Sequence, residues 1–249
     1  MRNDAYATTL SRKFVGAPGA GRDRIEKDRM GKMTKATRAD GEATRKRILE
    51  AAGELIATKG LAGAPSKLIA ATAGADMASI NYHFGNRDGL YQAVLVEAHR
   101  RIIDRADIER IATSDAPASD KLKSLITFFI ASGSGSDRWP VIVLFRELLA
   151  PGPHIKVLRD VEVLPKLLMV LPILSEITSI PENDPKLWAC LPCIGAPCLA
   201  LLLVGRNTPF SEVLFDQSQQ AIVDHLYSFA LGGLEAVGEG YRKGQSRSE

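Results

Sequence analysis

The stretch Asp76-Met77-Ala78-Ser79-Ile80-Asn81-Tyr82-His83-Phe84-Gly85-Asn86-Arg87-Asp88-Gly89-Leu90 decides how this chain is read. Asp76 is suited to cap a short helix, and Met77 and Ile80 stand three residues apart on one face of it. Gly85-Asn86 then breaks the chain. A helix of seven or eight residues that is apolar only at Met77 and Ile80 leaves most of its surface free, with Ala78, Ser79, Asn81 and Tyr82 pointing outward. Upstream, Pro65 suits a first helical position, Leu68, Ile69 and Thr72 continue a short helix over 65–73, and Gly74 ends it. Before that, Ile48, Ala52, Leu55 and Ile56 recur at helical spacing while Arg45, Lys46, Glu50 and Glu54 take the other face, as far as Gly60. Three short helices with a glycine turn between the second and third describe a helix-turn-helix.

The chemistry of the third helix suits a DNA groove. Small side chains let a helix enter the major groove, Ser79 and Asn81 can hydrogen-bond to base edges, and Asn pairs bidentately with adenine. Tyr82 and His83 suit phosphate contacts, which set register without reading sequence. Arg87 stands at the start of the next helix, where a cation and free amides together favour a phosphate. The candidate DNA contacts are therefore Arg45, Ser66, Lys67, Met77, Ala78, Ser79, Asn81, Tyr82, His83 and Arg87. Phe84 is read as a core joint between helices. The plain reading of Arg45-Lys46-Arg47 is a solvated helix face, and contact of one of them with DNA is the competing reading.

These residues resemble a known family. Thr44-Arg45-Lys46-Arg47-Ile48-Leu49-Glu50-Ala51-Ala52, Gly60, Ile69-Ala70, Ala73-Gly74 and the block Ile80-Asn81-Tyr82-His83-Phe84-Gly85-Asn86-Arg87-Asp88-Gly89-Leu90-Tyr91 closely resemble the DNA-binding head of TetR/AcrR-family transcriptional regulators. The resemblance covers residues 42–96. More weakly, Ile80-Asn81-Tyr82-His83-Phe84-Gly85, Phe145-Arg146-Glu147-Leu148-Leu149 before a proline, and the ending Phe229, Gly232-Gly233-Leu234 look like the CecR-type branch. The resemblance implies an all-α chain: a three-helix head joined to a helical effector-binding and dimerisation domain. It implies a homodimer through the last two helices, a palindromic double-stranded DNA operator, a small-molecule effector and, most often, repression. The family usually has Thr where Ala64 stands, capping the second helix, and that loss costs about 1 kcal/mol of capping.

Charge sharpens this reading. The 249 residues carry a net +3, but residues 1–38 hold ten Lys/Arg against four acids, a balance of +6 that leaves −3 for the rest. Residues 39–92 hold six of each sign, so the head is neutral, and DNA binding must rest on the placement of a few cations. Residues 1–38 show no sustained apolar period and are expected to form a disordered basic arm, 39–92 the head, 93–240 the effector-binding domain and 241–249 a disordered tail.

Beyond the head the pattern stays helical. One long helix is expected from Leu90 to about Arg110. A stripe of Leu122, Leu125, Ile126, Phe129 and Ile130 follows, then helices over 141–149, over 155–180 with bends at Pro165 and Pro172, over 185–204, and over 216–237 with Ile222, Leu226, Phe229, Ala230 and Leu234 inward. Residues 187–205 carry no charge and approach the length of a membrane span, but Pro192 and Pro197 interrupt them, so a buried helix at a subunit contact is the better reading. Residues 133–136 form a loop rather than a phosphate cradle.

Candidate effector contacts, chosen as apolar walls with a few polar groups, are Phe129, Trp139, Phe145, Arg146, His154, Met169 and Trp188, although Arg146-Glu147 is more readily a structural ion pair. Cys190, Cys193 and Cys198 lack the partners of a zinc site and read as free thiols in a core or interface, in keeping with a reducing cytoplasm. No constellation for catalysis, metal or cofactor emerges, so a non-enzyme is expected. The alternative is a helical small-molecule-binding or interaction protein whose head has lost DNA binding, a reading favoured by Ala64, Asp76 and the neutral head.

Overall fold

The structure is a computed structural model that describes the backbone of residues 20–133, 137–204 and 216–246, with side chains for 39–132, 137–203 and 216–246. The chain forms two units, Met1–Thr44 and Arg45–Glu249, and the features below lie in the second. Among the described residues every regular element is helical. They are α1 (Ala20–Lys59), α2 (Ser66–Ala73), α3 (Met77–Phe84), α4 (Arg87–Ile102), α5 (Arg105–Ala112), α6 (Ala118–Gly133), α7 (Trp139–Leu149), α8 (Ile155–Leu158), α9 (Leu164–Thr178), α10 (Pro185–Val204) and α11 (Gln219–Gln245).

Local chemistry sets the helix ends. Gly74 adopts the left-handed region (φ 60°, ψ 39°), which lets the Ala75 N–H reach back to the Ala70 carbonyl at 2.9 Å and close α2. Two residues later the Asp76 carboxylate accepts from the Ser79 N–H at 2.7 Å and starts α3. Asn86 does the same for α4 through the Gly89 N–H at 2.8 Å. The start of α2 has no side-chain cap, because Pro65, expected as its first residue, stands at the cap position and has no capping group; Ala64 before it is fully buried.

Several boundaries differ from the sequence reading. Helix α1 begins at Ala20, so the stretch expected to be a disordered arm is helical from there, and residues 1–19 lie outside the described residues. Helix α11 continues to Gln245, past the expected tail boundary, and residues 247–249 lie outside the described residues. The single long helix expected to reach Arg110 is two, because Ile103 leaves helical geometry (φ −132°, ψ 92°) and Asp104 caps a new helix through the Ala106 N–H at 2.7 Å. The bend expected at Pro165 is a π-helical turn, Arg159–Val163, immediately upstream, where the proline's missing N–H interrupts the regular ladder. The expected loop at 133–136 falls largely outside the described residues.

Two main cores hold the second unit. The first joins Ile48, Ala52 and Ile56 of α1, Ile69 of α2 and Ile80 of α3 to Leu90 and Val94 of α4, and continues into Trp139 and Val143 of α7. The second gathers Leu122 and Ile126 of α6, Leu171 and Leu174 of α9, Leu187 and Cys190 of α10, and Val223 and Leu234 of α11. Full burial of each such Leu or Ile contributes about 1.5–3 kcal/mol. Phe229, expected inward, is 71% exposed, because α11 turns Val223, Leu234 and Gly238 to the bundle instead.

Candidate nucleic-acid interface and effector cavity

Helix α3 has one fully buried side chain, Ile80, with Phe84 packed against the core at its end. Ile80 is 1% exposed, whereas Met77, also expected inward, is 43% exposed and joins the free face. Ala78 and Asn81 are exposed, Tyr82 is 85% exposed, and Ser79 and His83 are half-buried. Tyr82 and His83 meet edge to face with ring centroids 5.0 Å apart. Asp76, whose carboxyl the Ser79 hydrogen bonds hold below its ordinary value, carries a negative charge at the N-terminus of α3.

The basic side chains differ in how committed they are. Lys67 is exposed on α2 and Ser66 is the half-buried first residue of that helix. The Arg45 guanidinium lies 5.5 Å from the Phe84 ring centroid. Phe84 itself packs against the first core, as a joint between helices. The Arg87 guanidinium donates to the Leu61 carbonyl, so it ties the start of α4 to the turn after α1 while remaining exposed.

Head and body share a polar seam as well as a core. Glu50 of α1 accepts from Arg101 of α4 at 2.7 Å and from the Trp139 indole N–H of α7 at 3.0 Å. Burial alone would raise the Glu50 carboxyl, but these hydrogen bonds outweigh it and hold it below the usual value. Arg101 also meets Glu97 at 3.0 Å and Asp137 at 2.8 Å, and its guanidinium lies 4.9 Å from the Trp139 ring. Tyr91 donates to Glu147 at 2.7 Å, and Glu147 also accepts from the Gly152 N–H at 2.9 Å. Glu147 is 4% exposed and Arg146 is exposed, so the expected Arg146-Glu147 ion pair is replaced by a Tyr91–Glu147 bond.

A cavity of about 390 Å³ opens between α4 and α10, walled by Ile126, Phe129, Val141, Phe145, Leu199 and other aliphatic side chains. Of the sequence candidates, Phe129 and Phe145 line it. Trp139 belongs to the first core, and His154 is taken up by Gln92 at 3.1 Å and by the edge of the Tyr91 ring. Arg146, Met169 and Trp188 are not among its walls. The sequence reading missed His99 and Lys166, the cavity's polar corner. Lys166 Nζ meets His99 Nδ1 at 2.9 Å, the Ile103 carbonyl at 2.7 Å and Glu162 at 2.9 Å. Glu162 also accepts from Arg100 at 2.7 Å. Burial pushes Glu162 up, but the bonds from Lys166 and Arg100 outweigh it and hold the carboxyl below the usual range.

The cysteines follow the free-thiol reading in part. Cys190 and Cys198 are buried, and burial pushes Cys198 up to about 11, whereas Cys193 is exposed. Among the described residues no cluster of His, Cys, Asp or Glu has the arrangement of a metal site. Pro185–Leu203 is long and apolar enough to cross a membrane by length and composition alone. In the fold its Leu187, Cys190, Cys198 and Leu202 are core residues.

A three-helix head with a capped, exposed third helix, carried by a helical body, defines a helix-turn-helix fold. Residues 48–94 match the family model described as bacterial regulatory proteins, tetR family. Solved structures share the fold. A bacterial regulatory protein in the tetR family from Rhodococcus RHA1 has a TM-score of 0.59 at 21% identity, over 76% of this chain and 95% of that one. The fatty acid degradation regulator FadR from Bacillus halodurans has a TM-score of 0.57 at 21% identity, over 76% and 98%. The ketosteroid transcriptional regulator KstR2 of Mycobacterium tuberculosis has a TM-score of 0.56 at 19% identity, over 76% and 93%. No curated protein sequence matches the chain.

Proposed function

We propose that this protein is a cytoplasmic, ligand-responsive repressor that binds a palindromic operator as a homodimer and is released by a small-molecule effector. The observation that carries the reading is the free face of α3, where Ala78, Asn81 and Tyr82 are exposed while Ile80 is buried. In this reading Met77, Ala78, Ser79 and Asn81 meet base edges. Ser66, Lys67, Tyr82, His83, Arg87 and Arg45 meet phosphates and set the register. The finer likeness to the CecR-type branch belongs to this reading too.

The dimer joins α10 and α11 of each copy. Their outward faces support this: Ala189, Pro192, Cys193 and Ala196 on α10, and Phe229, Gly232, Gly233 and Ala236 on α11, are exposed and small or apolar. A two-fold dimer places two heads in successive major grooves about 34–36 Å apart, hence a palindromic site. Control is a linkage: an effector that binds better to a conformation with misfit head spacing lowers DNA affinity by that differential alone.

The test is fluorescence anisotropy with duplexes from upstream of the chain's own reading frame, titrated with salt. Sequence-preferring binding that weakens as salt rises is expected. Absence of any sequence preference at low salt would return the protein to the alternative class, a helical binding protein with an inactive head.

A further inference from the structure

The cavity has a wall of one chemistry and a corner of another. Apart from Gly195 and the Cys198 thiol, its lining is aliphatic and aromatic except at His99 and Lys166, and His99 is only 8% exposed. Lys166 has three N–H donors, and all three are committed: to Glu162, to the Ile103 carbonyl and to His99 Nδ1. An ammonium group only donates, so Nδ1 is the acceptor and the neutral imidazole carries its proton on Nε2. Burial, with the Lys166 charge behind it, pushes His99 down to about 4, which keeps the ring neutral near pH 7. The Nε2–H has no partner among the described residues. A buried donor left unpaired is costly, and the surrounding walls offer it nothing.

From this we infer that the effector is an uncharged, hydrocarbon-rich molecule with a single carbonyl acceptor, seated with its oxygen on the His99 Nε2–H and its chain against Ile126, Phe129 and Leu199. The inference takes the helical body to be the effector-binding domain of the regulator proposed above. Three arguments select the class. One donor matches one acceptor. A carboxylate brings a full charge and several lone pairs to a corner with a single free N–H, and the unsatisfied remainder loses its hydration without compensation in an apolar cavity. An amine brings a donor against a donor. The volume of about 390 Å³ accommodates about a dozen heavy atoms at roughly 30 Å³ each.

The experiment is calorimetric titration of the full chain near neutral pH with three probes of one chain length: 2-undecanone, undecanoate and undecylamine. The methyl ketone is expected to bind at least about tenfold more tightly than either charged probe. His99→Phe is expected to weaken the ketone about five- to tenfold, the worth of one net hydrogen bond. Because His99→Phe also removes an acceptor from Lys166, a second variant, Leu199→Trp, fills the cavity without touching that corner and is expected to abolish binding. The infrared carbonyl stretch of the ketone should move down on binding to the unsubstituted chain and return in His99→Phe. Tighter binding of undecanoate, no binding of the ketone, or ketone binding indifferent to both variants overturns the inference. DNA binding without ligand is measured separately. Its failure removes the regulator reading and leaves the ketone result standing, whereas intact DNA binding beside an unbound ketone removes only this inference.

Discussion

Arg101 of α4 donates to Glu50 of α1 at 2.7 Å, two residues after the histidine that lines the cavity. One turn of α4 therefore touches both the cavity and the head. Burial pulls the Arg101 guanidinium down, but its bonds to Glu50 and Glu97 outweigh that and hold it above its ordinary value. Arg101→Met leaves three carboxylates around an uncharged side chain. It should lower stability by about 1–2 kcal/mol, a figure discounted because the group is partly exposed. A double-mutant cycle with Glu50→Gln, read by urea unfolding, should show coupling of about 1 kcal/mol, and additive losses would refute it.

Gly53 lies mid-helix in α1, where alanine is ordinarily better by about 1 kcal/mol. A Cβ there would stand 2.5 Å from the Trp139 indole, a buried ring held by its bond to Glu50. Gly53→Ala should therefore destabilise by about 1–3 kcal/mol through overpacking, reversing the helix preference. A raised melting temperature in the variant would show that α7 yields freely.

His99 supplies a pH signature. The unfolded chain takes up its proton near 6.5 and the folded chain only near 4. The stabilisation from keeping this ring neutral is thus complete above pH 6.5 and is lost as pH falls from 6.5 towards 4, at up to about 1.4 kcal/mol per pH unit. His99→Gln should flatten that acid limb in urea titrations at stepped pH. Parallel limbs in the two proteins would assign the acid sensitivity elsewhere.

In the proposed operator complex Tyr82 positions and Asn81 reads. Tyr82 is 85% exposed, so Tyr82→Ala should leave stability within about 0.5 kcal/mol while weakening all operators alike. Asn81→Ala should cost about 1–3 kcal/mol on the preferred operator and relax the choice at one base pair. Equal effects across a library of operator variants would erase that division.

Phe229 tests the proposed dimer. Its 71% exposure on α11, beside Gly232 and Gly233, means a charge there strains no core. Phe229→Glu should yield a folded monomer in sedimentation velocity, with DNA affinity reduced by the loss of the second head. A dimer of unchanged strength would place the interface elsewhere.

The head was legible in the sequence because its signals are local. Asp76 caps the helix it starts, Gly74 supplies the one left-handed residue the turn needs, and Ile80 is apolar in an otherwise free surface; each acts within a few residues. Even Met77 failed only in direction, since one apolar residue in the first turn can face either side. The cavity was not legible, because its walls come together from α4, α6, α7, α9 and α10. An apolar aromatic has the same sequence signature in a core as in a pocket, so Trp139 and Phe145 could not be told apart; packing sends the first into the core and the second to the cavity. His99 and Lys166 stand 67 residues apart, and neither carries a local pattern that marks it. By itself the sequence determined an all-helical chain with a capped helix-turn-helix head, because caps, turns and helical periodicity are short-range properties of the backbone. Only the tertiary structure decided which polar groups lose water together, and it brought His99 and Lys166 into contact at the wall of a largely apolar cavity.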